Sequence, residues 1–359
     1  MNVNKNINVS TSQGMGATSS TGDVGQLDGM TLTQGPTAPK KSFKSQVKEF
    51  FREIGQFFKS LTQRKATVGD PKTAKSGKKD DGAPLLGTGL KETDFSKAKA
   101  FKPVSSGNGG ACFVKLEDST VVIKGGSQTG ACREVYGAQL ARELGLPAPE
   151  TRLLSSHERA QIAQGMREQG VSMPDRNGGD DAPIIVMEHV NGKTVDEAGK
   201  AGKTSSQDLA KSFGKWLAFA AFIKEPDTFH GLVSGREYSS GGGINSSNFM
   251  IDPKRPELGI VGIDQNVGGS DESGALDDIL SGDESFFARA AQHVTRAAGD
   301  DADPESIVDL VKEGAKETLD AISRMSPDRI EEMGHELGID AQTILALKAR
   351  QSQVAREGH

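Results

Sequence analysis

Between residues 41 and 65 the apolar positions recur every three or four residues, at Phe43, Val47, Phe50, Phe51, Ile54, Phe57, Phe58 and Leu61. That spacing is one stripe of a helix. Lys44, Lys48, Arg52 and Lys59 fall on the opposite face. The pattern predicts a basic amphipathic helix over 41–65, suited to an anionic membrane surface, a hydrophobic groove on a partner or a secretion chaperone. On either side the periodicity vanishes. Residues 1–40, dominated by Asn, Ser, Thr and Gly, read as a disordered tail. Residues 66–99, dominated by Gly, Pro, Lys and Asp, read as a linker.

From residue 100 the pattern becomes that of a folded domain running to 357. "FVKLEDSTVVIKGG" predicts two short strands joined by a Glu-Asp-Ser turn. "ACREVYGAQLARELG" predicts a helix with Val135, Ala138, Ala141 and Leu144 on one face and Gly145 as its C-terminal cap. "LPAPETRLLS" predicts a strand. Residues 156–181 begin as a helix and end in Gly and Asp. "APIIVMEHVNGKTVDE" predicts a strand running into a turn. In "SSQDLAKSFGKWLAFAAFIKE" the residues Leu209, Phe213, Trp216, Leu217, Ala220 and Ile223 repeat at helical spacing. Two apolar runs, Phe249–Ile251 and Ile260–Ile263, flank a Pro- and Lys/Arg-rich segment and predict a hairpin. The chain from about 283 to 357 is helical, with Asp303 and Ser326 each before a Pro at a helix start. Strands first and helices afterwards predict an α+β fold in two lobes: a small β-rich lobe over about 100–192 and a mainly helical lobe over about 193–357.

Composition narrows the function classes. Lys and Arg number 43 against 49 Asp and Glu, a net charge of −6, which is not the electrostatic footprint of a nucleic-acid binder. Hydrophobic residues make up only 35% of the chain, in keeping with a disordered segment beside the folded domain. Two cysteines, Cys112 and Cys132, form neither a disulfide framework nor a metal set and fit a reducing compartment. No apolar run approaches the ~20 residues of a membrane span, and the N-terminus carries no apolar core of a cleavable secretory signal.

The candidate chemistry lies in three places. Gly107, Gly109 and Gly110 precede a strand, where glycine lets backbone N–H groups approach phosphate oxygens. Lys124 ends the strand "VVIK", where an inward-facing ammonium can neutralise phosphates; Lys115 is the competing lysine. Asn248 and Asp264 stand at the entry and exit of the hairpin. They read either as ordinary strand-end residues or as two oxygen ligands of one metal ion. Asp227, at the end of the Trp216 helix, and Asn245 complete the set.

The stretches "VVIKGG…REVYGAQLARELGLPAPETRLL", "PIIVMEHVNGKTVDE", "WLAFAAFIKEPDTF" and "GINSSNFMID…VGIDQNVG" together resemble the atypical protein kinases of the actin-fragmin kinase type, within the wider phosphatidylinositol 3/4-kinase-like group. The resemblance covers about 100–350 and not residues 1–98. It implies a two-lobed protein-kinase-like fold that uses ATP and Mg²⁺. It implies Lys124 on the phosphates, Glu134 as its ion-pair partner in preference to Glu143, and Asp227 as catalytic acid/base. Asn248 and Asp264 would hold Mg²⁺, Gly107, Gly109 and Gly110 would cover the phosphates, and the hinge residues Glu188 and His189 would hold adenine. One departure stands out: the family has Arg after the catalytic Asp, whereas Thr228 follows Asp227, with His230 close by. Residues 231–243, rich in Gly and Ser, read as an insertion for substrate or an activating factor.

The N-terminal 1–40 resembles the uncleaved export signal of bacterial type III secreted effectors. The combined expectation is an effector kinase that moves the ATP γ-phosphate to a hydroxyl of a host protein in the host cytoplasm. Membrane association or a secretion chaperone would act through 41–65, and a host activator is a further implied partner. AMP transfer, phosphoinositide phosphorylation and a catalytically inactive binding module are the alternatives.

Overall fold

The computed structural model describes residues 90, 93–104, 110–174, 182–225, 227–229, 232, 245–268 and 274–357. The expected tail over 1–40 and helix over 41–65 lie outside the described residues, as does the linker over 66–99 except for Leu90 and residues 93–99. The fold is α+β in two lobes.

The β-rich lobe is a five-stranded antiparallel sheet in the order β1-β2-β3-β5-β4, formed by β1 (Ala100–Pro103), β2 (Ala111–Lys115), β3 (Thr120–Gly125), β4 (Thr151–Leu153) and β5 (Ile184–Glu188). Side chains alternate across a strand, and both faces are used. Cys112, Val114, Val121, Ile123, Ile184 and Val186 pack with Phe95, Phe101 and with Ile162 and Met166 of α2 (Ser156–Glu168). On the other face Ile185 packs against Ala131 and Val135 of α1 (Gln128–Glu143). Lys124 follows Ile123 in β3 and so lies on the α1 face.

β1 was not foreseen. Its presence turns the glycine segment from a lead-in to the first strand into the loop joining β1 to β2, closed by the Val104 N–H donating to the Ala111 carbonyl at 2.8 Å. β4 is three residues long, because Pro147 and Pro149 just before it offer no N–H to a ladder.

The helix starts follow the expected capping chemistry. Ser127 accepts from the Gly130 N–H at the start of α1, and Ser155 with Glu158 forms a capping box on α2. After β5 a second antiparallel sheet, β6-β7-β8, joins β6 (Lys193–Thr194) to the hairpin of β7 (Phe249–Ile251) and β8 (Ile260–Gly262). The two-residue β6 and the short α3 (Val195–Lys200) behind it carry too little pattern to have been expected.

The helical lobe is built around α4 (Ser206–Ile223), which is buried on every side from Trp216 to Ile223. It is the central core helix of the lobe rather than an amphipathic one. Around it stand α5 (Ala275–Ser281), α6 (Glu284–Ala298), α7 (Val308–Arg324), α8 (Pro327–Glu336) and α9 (Ala341–Glu357). The α4 and α7 backbones touch: a Cβ on Gly214 would lie 1.9 Å from the Val311 carbonyl oxygen, and one on Gly314 1.9 Å from that of Lys211. Asp303 and Ser326 cap helix starts as expected, each before a Pro.

The lobes are joined by more than the chain. The Gly262 N–H donates to the Pro147 carbonyl at 3.0 Å, and the Tyr136 hydroxyl donates to the Ile330 carbonyl at 2.6 Å. Arg133 reaches Asp340 at 3.0 Å and Thr343 at 3.2 Å.

Candidate active site

The site forms where β3, α1, the end of α4 and the β7–β8 hairpin meet. Lys124 donates to Glu134 at 2.8 Å and to Asp264 at 2.6 Å. The pairing with Glu134 follows from the fold: Lys124 faces α1, and Glu134 sits one turn and a half into that helix. Lys115 shares the face of Lys124 but lies at the other end of the β2–β3 ladder, opposite Thr120, and Glu143 pairs with Arg329 at 3.4 Å.

Burial works against the charge on Lys124, yet the Glu134 and Asp264 carboxylates outweigh it and hold the ammonium above its usual range. Burial raises the Glu134 carboxyl, and Lys124 opposes that rise. One ammonium therefore serves two carboxylates. The Asp264 side chain is 44% exposed. Its backbone is left-handed, with φ of 63°, a conformation uncommon outside glycine but tolerated by Asp.

Ala111 lies opposite Lys124 in the β2–β3 register, so the glycine loop leaves the sheet beside the lysine. Gly110 has φ of 49°, open to it because it carries no Cβ. Gly107 and Gly109 lie outside the described residues, as do His230 and residues 231–243 apart from Leu232, which is buried in the helical core.

Facing this group is a second one. Asp227 is exposed, and its Oδ2 accepts from the Asn245 amide at 2.7 Å and more distantly from the Asn248 amide at 3.4 Å. Asn248 is buried, and its Nδ2 also donates to the Thr228 hydroxyl at 3.1 Å. With both amide hydrogens committed, Oδ1 has no donor among the described residues. The hairpin holds Asn248 next to Asp264, since the Ile263 N–H donates to the Asn248 carbonyl at 2.8 Å.

At the hinge, β5 ends at Glu188, whose N–H donates to the Glu150 carbonyl at 2.9 Å. That amide is thus committed to the sheet rather than open to a base. Burial raises the Glu188 carboxyl and pushes the His189 imidazole down to about 4, so the ring is neutral at pH 7. His189 meets Phe113 of β2 edge-on, with ring centroids 5.4 Å apart.

The donor set fits a hard cation. Asp264 and Asn248 offer hard oxygen ligands, with Asp227 nearby. Among the described residues no cluster of three His, Cys, Asp or Glu gathers. Magnesium is held in just this way, by one or two carboxylates completed by substrate phosphates and water.

Glu225 was missed by sequence reasoning. It is 1% exposed and accepts from the Asp227 N–H through both oxygens at 3.1 Å. It also accepts a short bond from the Thr228 N–H. In sequence it reads as a charged residue at an exposed helix end. The one available signal was its position before Pro-Asp-Thr, where a carboxylate can cap a turn.

A family model described as the catalytic domain of actin-fragmin kinase matches residues 85–253. That match supports an atypical kinase. It spans Lys124, Glu134, Asp227 and Asn248, while Asp264 lies beyond it and joins the group through its bond to Lys124. Among solved structures, a Helicobacter pylori proinflammatory kinase, CtkA, is 11% identical over 74% of this chain and 94% of that one, with a TM-score of 0.35. A thermostable mutant of the aminoglycoside phosphotransferase APH(4)-Ia is 13% identical over 73% of this chain and 95% of that one, with a TM-score of 0.29. An aminoglycoside phosphotransferase from Alicyclobacillus acidocaldarius is 15% identical over 73% and 90%, with a TM-score of 0.26. No curated protein sequence matches the chain.

Proposed function

We propose that the chain is a phosphotransferase that moves the γ-phosphoryl group of ATP to a hydroxyl of a protein. The observation that carries this reading is the placement of Lys124 between Glu134 and Asp264, across from Asp227 and Asn248. Phosphoryl transfer asks little covalent chemistry of a protein; it asks for positioning and charge. Lys124, steadied by Glu134, binds phosphate oxygens of the nucleotide. Asp227 accepts the proton of the attacking hydroxyl. The new bond joins that oxygen to the γ-phosphorus, the bond to the β-phosphate oxygen breaks, and ADP leaves. Asn248 and Asp264 are the residues that would hold Mg²⁺, which when bound supplies neutralising charge to the phosphates.

Residues 1–65 support the further reading that the enzyme is exported as a type III effector and phosphorylates a host protein, with 41–65 as its docking or membrane-binding segment. Among the described residues no helix is long and apolar enough to cross a membrane.

The test is incubation of the full chain and Asp264→Ala with Mg²⁺, eukaryotic lysate and ATP labelled on either the α- or the γ-phosphate. Transfer of γ-label by the wild type alone is expected. Transfer of α-label would change the reaction to AMP transfer. Absence of both, with no Mg²⁺-ATP shift in melting temperature, would leave a binding module.

A further inference from the structure

Glu225 and Thr228 have no place in the chemistry above, yet they are the most deeply buried polar pair next to it, at 1% and 0% exposure. A buried carboxylate is costly unless donors surround it. Here they do: the N–H groups of Asp227 and Thr228 point at it. Pro226, between them, has no N–H to give, so the two backbone donors that the turn offers are both spent on one side chain. The Thr228 hydroxyl in turn accepts from the Asn248 amide, and that same amide reaches Asp227. The result is a closed path from Glu225 through Thr228 to Asn248 and back to Asp227.

We propose that Glu225 is a positioning residue, which acts through Thr228 to fix Asp227 and Asn248 in one arrangement. This inference rests on the reading of Asp227 as the proton acceptor. It also gives Thr228 a role. Thr228 is buried and built into the network through its N–H and its hydroxyl. Hydrogen bonds linked in this way hold the groups they join in one arrangement. Misplacing a reacting group by about 1 Å costs on the order of 100-fold in rate. Burial pushes the Glu225 carboxyl up to about 7, against the donors that favour its charge. A neutral amide there is therefore tolerated by the fold better than by the geometry.

The experiment uses the full chain and γ-labelled Mg²⁺-ATP, with lysate proteins as acceptors. It compares wild type, Asp227→Asn, Glu225→Gln, Thr228→Val and Thr228→Ser. Glu225→Gln puts an NH₂ group against N–H donors; it is expected to lower kcat 10- to 100-fold while the KM for ATP moves less than 3-fold and the Mg²⁺-ATP melting shift persists. Thr228→Val should behave alike, and Thr228→Ser should recover most of the rate, which covers the case in which Glu225→Gln does not fold. Transfer lost in Asp227→Asn but undiminished in Glu225→Gln or Thr228→Val would overturn the inference alone. No transfer by the wild type, or transfer that survives Asp227→Asn, would overturn the assignment of Asp227 and this inference with it.

Discussion

Replacing Lys124 with Met tests the electrostatics of the site through stability alone. Lys124 and Glu134 are both about nine-tenths buried. Met keeps the apolar stem of the lysine and removes its charge. Glu134 is then left in a dry place with a like-charged neighbour in Asp264, and it relieves the conflict by taking a proton. At pH 7, holding a carboxyl protonated that would ionise near 4.3 in the unfolded chain costs about 3–4 kcal/mol, at 1.36 kcal/mol per pH unit. At pH 5 the same cost is about 1 kcal/mol.

The sign follows from the direction of the shift. A carboxyl whose folded pKa lies above its unfolded value destabilises progressively as pH rises from the unfolded toward the folded value. Glu134→Gln is milder, because Lys124 keeps Asp264, a half-exposed partner worth ~1 kcal/mol or less. At ~2–4 °C per kcal/mol, and because burial already raises Glu134 in the wild type, Lys124→Met should melt at most about 10 °C below wild type at pH 7 and at most about 3 °C below at pH 5. Glu134→Gln should melt about 3 °C below at both. Calorimetry or circular dichroism across pH 5–8 reads this directly. A Glu134→Gln loss as large as that of Lys124→Met at pH 7, or a Lys124→Met deficit independent of pH, would refute the reasoning.

Other substitutions probe the frame. Gly214→Val forces a side chain into the Val311 carbonyl at a backbone-to-backbone contact and should abolish soluble folding. Gly274→Ala, where no atom lies within 4 Å of the new Cβ, should melt within 2 °C of wild type. Tyr136→Phe removes the hydroxyl that donates to the Ile330 carbonyl, which lies within α8 and keeps its helical donor, so urea titration should show a loss of ~0.5–1.5 kcal/mol. Arg350 is buried, its Nη2 has no partner among the described residues, its Nε donates to the Phe222 carbonyl at 2.6 Å, and burial pulls it down to about 10. Arg350→Met removes a dehydrated charge but leaves the buried Phe222 carbonyl, whose i+4 residue is Pro226, without its donor, so it should lose ~1–2 kcal/mol, and Arg350→Ala should lose more because a cavity is added.

The lobes were legible from local periodicity, whereas Glu134 as the partner of Lys124 came from the resemblance to the kinase family. Alternation in "VVIK" sets the lysine on the face opposite Ile123, and the next helix must cover that face. The hairpin was legible from two apolar runs about a breaker-rich segment. Contacts made across 140 residues, such as Lys124 to Asp264, leave no local trace; they arise because the lobes close on each other. Glu225 was hidden for the same reason, since a glutamate after an apolar helix looks solvated until the rest of the fold covers it. The hold of the last two helices on α1, through Arg133–Asp340 and Tyr136–Ile330, belongs to that class as well. The commitment of the Glu188 amide left no trace in the sequence, because β4 begins after two prolines while its pairing with β5 extends to Glu150.

Two non-glycine residues in the described chain have positive φ, Lys224 at 51° and Asp264 at 63°. Each conformation costs ~1–2 kcal/mol relative to the ordinary helical or extended regions, less for Asp than for Lys. Both stand at the site. Lys224 ends α4 and turns the chain into Glu225, and Asp264 ends the hairpin and turns its carboxylate toward Lys124. The end of α4 and the segment after Asp264 are then tied together, since the Gly268 N–H donates to the Ile223 carbonyl at 3.0 Å. A sequence free to choose would place Gly or Asn at both positions. At Asp264 the side chain is itself the reason, because the carboxylate is the partner of Lys124. At Lys224 the strain persists because the buried end of α4 on one side and the Glu225-capped turn on the other leave the chain no other path. The distorted backbone is thus concentrated where the two halves of the site are brought face to face, which is where positioning matters most to phosphoryl transfer.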